Sequence, residues 1–300
     1  MKRAISIGTF DAVHLGHQAL IQAARTSVGE SGHIEVWSFD PPPKLLLDSN
    51  YHFNRITPFE TRANILKSLG VDIVRKIEPT HEFLNLDPVQ FIKMVIEQSS
   101  PDYFVEGDLF RFGKDRAGSI DTLSNLGSEL NFECISVPSI DVSLLDHSIV
   151  PASSSTVRWL LREGRVQDAH RVLGRPFSFS GVVTQGDKRG REIGFPTANL
   201  SGIETMLPKN GIYSGIATLE SMQFPAAISI GTKPTFGNAE ITCEAHIIGF
   251  DGPINHYDWP LSVTICQWLR DQVKFDNVEA LSEAIRQDIE QTKSLIESTL

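Results

Sequence analysis

Halfway along the chain the rhythm of apolar residues changes, and the change calls for two different kinds of sheet. Up to about residue 145, short apolar runs (AISIG, HIEVWSFD, VDIVRKIEP, DYFVEG, FECISVPSI) alternate with helical patterns (HQALIQAARTS, PFETRANILKSLG, DPVQFIKMVIEQ, IDTLSNLGSEL). Strand and helix in alternation predict a parallel sheet with helices on its faces. From about 178 to 270, FSFSGVVTQG, GIYSGIATLE, FPAAISIGT, ITCEAHIIGF and LSVTICQWLR are short strands separated by Gly, Pro and Asn turns. That pattern suits an antiparallel sandwich or a small barrel. A closing helix follows, with Leu281, Ile285, Ile289 and Ile296 on one face. Between the halves, SSSTVRWLLREGRVQDAHRVLGRP reads as two short helices, broken at Gly164 and stopped by Gly174 and Pro176.

The 300 residues suit one large domain or two ordinary ones, and 41% apolar residues are enough for real cores. A net charge of -10 argues against a general nucleic-acid binder, since neutralising phosphates needs clustered Lys and Arg. Cys134, Cys243 and Cys266 are odd in number and widely spaced, which gives neither a disulfide framework nor a zinc spacing. With no h-region and no apolar run of membrane length, a soluble cytoplasmic protein without a membrane partner is expected.

AISIGTFDAVHLGHQALIQAA places His14 and His17, with Gly16 between them, in the turn from the first strand to the first helix. Ligands of parallel α/β sheets bind at the carboxyl ends of the strands. A helix N-terminus there offers amides and a positive dipole end to phosphate. Two imidazoles at that point are either ordinary turn and cap residues or donors that stabilise charge on a pentacoordinate phosphorus. Their position after a strand and GTFD favours the second reading. The spacing does not suit a helix-borne zinc pair, and no G-x-G-x-x-G follows the strand.

These residues resemble the H-x-G-H signature of the nucleotidyltransferase superfamily. IGTFDAVHLGHQAL is similar to the start of the bacterial bifunctional riboflavin kinase/FAD synthetases. The resemblance runs the length of the chain, through SSSTVRWLLREGRVQDAHRVLGRPF, GDKRGREIGFPTANL, GIYSG, ISIGTKPTFG, CEAHIIGF and LRDQVKFDNVEAL. It implies a Rossmann-like nucleotidyltransferase domain over residues 1–158, linker helices over 159–176, and a riboflavin kinase domain over 177–300, the last a small antiparallel β-barrel with a closing helix. The implied chemistry is ATP-dependent phosphorylation of riboflavin to FMN, then transfer of AMP from a second ATP to FMN, giving FAD and pyrophosphate. Mg²⁺ is expected in both steps. The alternatives are a riboflavin kinase with a degenerate first half, or a flavin-binding regulatory or storage protein without turnover. Oligomeric state is left open by the sequence.

In the second half, Thr197 and Asn199 of GFPTAN alternate along an extended chain and share one face. A hydroxyl and an amide oxygen are hard ligands suited to Mg²⁺ beside phosphates. The preceding GDKRGREIG adds Gly186, Gly190 and Gly194 for close backbone approach and Lys188, Arg189 and Arg191 for charge, so it reads as a phosphate flap. Glu244 lies in an apolar strand, where a carboxylate either faces a site or points outward to solvent. The resemblance makes it the base for the ribityl hydroxyl, with His246 on the same face, and places Tyr257 and Arg270 near the flavin.

For the first half the resemblance assigns His14 and His17 to charge stabilisation, and Gly8, Phe10, Asp11, Gly16, Arg111, Ser154, Ser155 and Arg158 to the nucleotide. Four positions depart from the family pattern: Thr9 replaces Asn, Ala12 replaces Gly, Pro42 replaces His, and Leu109 stands where Asp or Asn is usual. Asp108 is one residue early, which in an extended chain turns it to the opposite face. With the other matching positions kept, retained adenylyltransferase activity is the favoured reading.

Overall fold

In the computed structural model, which describes residues 1–186, 189–234, 239–252 and 256–297, the chain forms two compact units. The first comprises Met1–Val142 and Ile149–Ser154, the second Ser143–Ser148 and Ser155–Leu300.

In the first unit, β1 (Arg3–Gly8), β2 (His33–Phe39), β3 (Ile73–Ile77), β4 (Tyr103–Gly107) and β5 (Glu133–Val137) make a sheet of order β3-β2-β1-β4-β5, with every neighbouring pair parallel. Successive residues of β1 feed two cores. Ala4 packs with Ile21, Ala24, Ile34 and Leu66 on one face, and Ile5 with Phe91, Ile92, Phe104 and Leu123 on the other. Burial on both faces is why the strands read as continuous apolar runs. The helices are α1 (Leu15–Val28), α2 (Lys44–Leu47), α3 (Phe59–Ser68), α4 (His81–Leu84), α5 (Pro88–Ser99) and α6 (Ile120–Leu130). Helix α5 starts in a capping box between Asp87 and Gln90, with Pro88 as its first residue. A pair of short strands, β6 (Asp141–Ser143) and β7 (Ile149–Pro151), and the four-residue helices α2 and α4 were not signalled by sequence periodicity, because they are too short to show one.

The second unit begins with α7 (Ser154–Arg162, its first residue belonging to the first unit) and α8 (Val166–Leu173). It continues as a closed barrel of β8 (Phe177–Thr184), β9 (Ala198–Ser201), β10 (Gly211–Leu219), β11 (Met222–Pro234), β12 (Ala239–Ile247) and β13 (Pro260–Arg270), in the order β10-β11-β12-β9-β8-β13. Antiparallel pairing of β10 with β13 closes it. Inward and outward positions alternate without a break along β8, where Phe177, Phe179, Gly181 and Val183 are buried. The one-turn helix α9 (Arg189–Glu192) precedes β9, and α10 (Val278–Glu297) packs on β10 and β11, burying Ile289 and Ile296. Among the described residues no helix is long and apolar enough to cross a membrane.

The segment read as a linker is part of the second unit: α8 packs on β8 and β13, and Val157, Leu160 and Leu161 of α7 are fully buried. Residues 143–148 are tied to it as well. Leu145 N donates to Asp168 Oδ1 at 2.7 Å, Arg171 Nε to Ser143 O at 2.7 Å, and Arg165 pairs with Asp146 at 2.9 Å. A fragment starting at Ser143 is therefore expected to melt higher than one starting at Leu160, which lacks these bonds and Val157. Several kcal/mol are at stake, at about 2–4 °C for each in a domain of this size, so a gap of roughly 10 °C is expected by calorimetry. Equal melting temperatures would show that residues 143–159 add nothing to the unit.

Candidate functional sites

The strand order of the first sheet reverses between β1 and β4, which puts the ligand crevice at their carboxyl ends. The turn after β1 is tightly wound. Phe10, Ala12 and Val13 all have positive φ, and Val13 N donates to Phe10 O. His14 is the N-cap residue of α1, and its ring stacks on His17 at a centroid distance of 3.7 Å. Phe10, buried in the core, backs His17 at 4.8 Å. A Cβ on Gly16 would sit 3.1 Å from both the carbonyl of Ala152 and His14 Nδ1, so a side chain there would press on the His14 ring and the Ala152 backbone.

Asp11, which the resemblance assigns to the nucleotide, sits in a hydrogen-bond network at the turn. It is 1% exposed, and its carboxylate accepts from Ile56 N (3.1 Å), Thr57 N (2.9 Å) and Thr57 Oγ1 (3.1 Å). Its carbonyl accepts from Ser154 Oγ at 2.6 Å. Asp11 and the half-buried Ser154 thus pin the turn to the 56–57 segment and to the start of α7. Thr57 closes the loop by accepting from Ala12 N at 2.9 Å. Arg62 of α3 is fully buried. It donates to the carbonyls of Thr9 and Phe39, to Ser38 Oγ and to Asp40 Oδ1. Burial pushes its pKa down, with the charges of Asp11 and Asp40 opposing. Thr57 and Arg62 were missed in the sequence. An arginine on the apolar face of α3, beside Ala63 and Leu66, was the available signal.

After β4 the chain makes a turn, closed by Phe110 N donating to Gly107 O at 2.9 Å. Asp108 and Leu109 are not extended, so the expectation that they face opposite ways, which assumed a strand, does not apply. Leu109 is 76% exposed at the tip and Arg111 is exposed beside it. Ser155 and Arg158 lie on α7 in the second unit.

The barrel carries two cavities on its outer surface. One, of about 400 Å³, is lined by Gly186, Arg191, Thr197, Asn199 and Tyr257 among others. The other, of about 990 Å³, is lined by Thr197, Glu244, His246, Arg270 and residues of the 272–278 loop and α10. Thr197 belongs to both, and its hydroxyl donates to Glu244 Oε2 at 3.3 Å. Along β9, Ala198 and Leu200 point into the barrel while Asn199 points out, directly across from Glu244 on β12. On β12, Cys243 and Ala245 are buried, so Glu244 and His246 face outward together. His246 Nδ1 donates to Pro196 O at 2.8 Å and so fixes the segment that leads into Thr197. A Cβ at Gly186 would lie 2.2 Å from Asn199 Nδ2, so a larger residue there would push the Asn199 amide from its present position. Gly194 has a φ of 87° in the turn after α9. Lys188 lies outside the described residues.

Tyr257 and Arg270, expected together, line different cavities: Tyr257 the smaller, Arg270 the larger. Arg270 is held by Asp288 of α10 through two bonds of 2.9 and 2.7 Å. Asp288 was missed in the sequence, although an acidic residue on the apolar stripe of α10, between Ile285 and Ile289, marks it out.

A family model described as FAD synthetase matches residues 1–149, and one described as riboflavin kinase matches residues 173–296. The chain is 33% identical over 296 residues to the bifunctional riboflavin kinase/FMN adenylyltransferase of Buchnera aphidicola, covering 97% of this chain and 93% of that one. It is 31% identical over 301 residues to the protein of the same name from Listeria monocytogenes, covering 98% and 92%. A crystal structure of a macrolide-efflux protein from Streptococcus pneumoniae superposes with a TM-score of 0.88 at 29% identity, over 97% of this chain and 94% of that one. With the two matched domains in sequence and relatives aligned from end to end, the chain belongs to the bifunctional riboflavin kinase/FMN adenylyltransferase family.

Proposed function

We propose that the barrel transfers the γ-phosphoryl group of ATP to the terminal ribityl hydroxyl of riboflavin, and that the first unit then transfers the adenylyl group of a second ATP to FMN. The observation that carries the first step is that Thr197 lines both cavities and lies 3.3 Å from Glu244. ATP in the smaller cavity and riboflavin in the larger would meet at that point. The smaller cavity offers Arg191 and the Gly186 strand end to phosphates and Tyr257 and Trp259 to the base. The larger is partly apolar, with Val278, Leu281 and Ile285 along one side, as a flavin ring requires.

The donors at the junction are a hydroxyl, an amide and a carboxylate, which is a hard oxygen set. Thr197 and Asn199 would hold Mg²⁺, whose charge offsets that of the polyphosphate. Glu244 accepts the proton of the ribityl hydroxyl as its oxygen bonds to the γ-phosphorus and the bond to the β-phosphate oxygen breaks, releasing ADP. Arg270, held by Asp288, orients the flavin side of the larger cavity.

In the first unit, a phosphate oxygen of FMN bonds to the α-phosphorus of ATP as pyrophosphate leaves. No covalent enzyme intermediate is needed, so the task of the protein is positioning and charge stabilisation. His14, His17 and the first amides of α1 are placed for it, and Asp11, Thr57 and Arg62 hold the turn that carries them. Free thiols at Cys134, Cys243 and Cys266 agree with work in the reducing cytoplasm.

ATP labelled on phosphorus tests both assignments. Label from the γ position is expected in FMN, and label from the α position in FAD. The same label pattern in a product other than these would refute the reading. Leu109→Asp is expected to raise FAD formation by about tenfold, the worth of one charge-assisted hydrogen bond, if a carboxylate at that turn reaches the nucleotide. An unchanged rate would mean that the exposed leucine costs the site nothing.

A further inference from the structure

On its β2 side, β1 is paired along its whole length, from Arg3 with His33 to Gly8 with Ser38. Likewise β4 is paired with β5 from Tyr103 to Gly107. Between β1 and β4, however, pairing stops after Ala4 with Tyr103 and Ile5 with Phe104. The sheet therefore opens at its centre, between the two strands whose ends carry the His14–His17 turn and the Gly107–Phe110 turn. Opening removes the ladder acceptor of Ile7 N–H, a buried donor that must be satisfied. Glu106 supplies the replacement: its Oε1 accepts from Ile7 N at 2.7 Å, and the residue is 2% exposed.

We propose that Glu106 is a positioning residue for adenylyl transfer. It holds the open ends of β1 and β4 at a fixed separation, one residue before Gly8 on one strand and directly before Gly107 on the other. This rests on the reading that the first unit adenylates FMN. An acceptor in the opening need not be charged. Burial pushes the carboxyl pKa well above the ordinary value, against the pull of the Ile7 amide and the Ser6 hydroxyl. Its even-numbered neighbour on that face, Phe104, and Ile5 and Ile7 of β1 belong to the apolar core on that side. Across β4, the thiol of Cys134 on β5 is raised to about 11 by burial and by Glu106. A glutamine keeps the acceptor oxygen and the length of Glu106, whereas an apolar side chain of similar length leaves Ile7 N–H unpaired.

The test measures kcat and KM for FAD formation from FMN and ATP in the full chain, with FMN formation from riboflavin as internal control. For Glu106→Met, kcat is expected to fall by about 10–10²-fold, the cost of a small misplacement of reacting groups, with KM for ATP little changed. Glu106→Gln is expected to restore kcat, and both variants to make FMN at the wild-type rate. Should Glu106→Met not fold, Glu106→Asp, which withdraws the acceptor by one methylene, is expected to show the same fall in kcat. A wild-type kcat in Met or Asp variants, or a loss in Gln equal to that in Met, overturns the proposal. If the wild type itself makes no FAD, the reading of the first unit fails and this role fails with it.

Discussion

Glu244→Ala is expected to lower FMN formation by about 10²–10⁴-fold, the usual worth of a general base, while riboflavin still binds. Binding should survive because the larger cavity is lined by many residues besides Glu244, including Arg270, Leu281 and Ile285. Glu244→Gln sharpens the test, since it keeps a partner for the Thr197 hydroxyl and removes only the proton acceptor. A Gln variant as slow as Ala assigns the loss to proton transfer. Near-normal turnover in either would remove Glu244 from the mechanism. FAD formation from added FMN, carried out in the other unit, serves as the control.

His14→Ala or His17→Ala is expected to lower FMN-to-FAD conversion by about 10²–10³-fold, in line with the loss of one preorganised donor. FMN formation should be unchanged. Because the rings stack at 3.7 Å, each supports the orientation of the other, and the double variant is expected to lose less than the product of the two single losses. Equal damage to both reactions would make the pair structural.

The five-stranded sheet and the barrel strands were legible in the sequence because burial leaves a plain mark on strands. The two-sided cores around β1 and β4 give unbroken apolar runs, and β8 alternates residue by residue. The outward placement of Glu244 also follows from alternation, although alternation could not say whether solvent or a cavity lay on that side. What stayed hidden depends on turns and on long-range partners. The bonds that fix Asp11 run to Ile56 and Thr57, 45 and 46 residues away, and no local pattern records them. Asp108 and Leu109 read as a continuing strand, although the Gly107-Asp108 pair is a local turn signal. Tyr257 and Arg270 were grouped by resemblance, but their separation is set by the barrel, which puts β13 and the 256–259 segment against different cavities. Glu106 passed as a strand residue because its role exists only where β1 and β4 part, and no pattern within either strand records that.

Incubating the wild-type chain with riboflavin, ATP and Mg²⁺ and separating the flavins over time tests the two-site account most directly. Riboflavin is expected to fall, FMN to rise first, and FAD to follow as FMN declines, with FAD also formed when FMN is supplied alone with ATP. FMN that accumulates without FAD at any ATP concentration would contradict the assignment of the His14–His17 turn. Riboflavin left unconsumed would contradict the assignment of the barrel cavities that meet at Thr197.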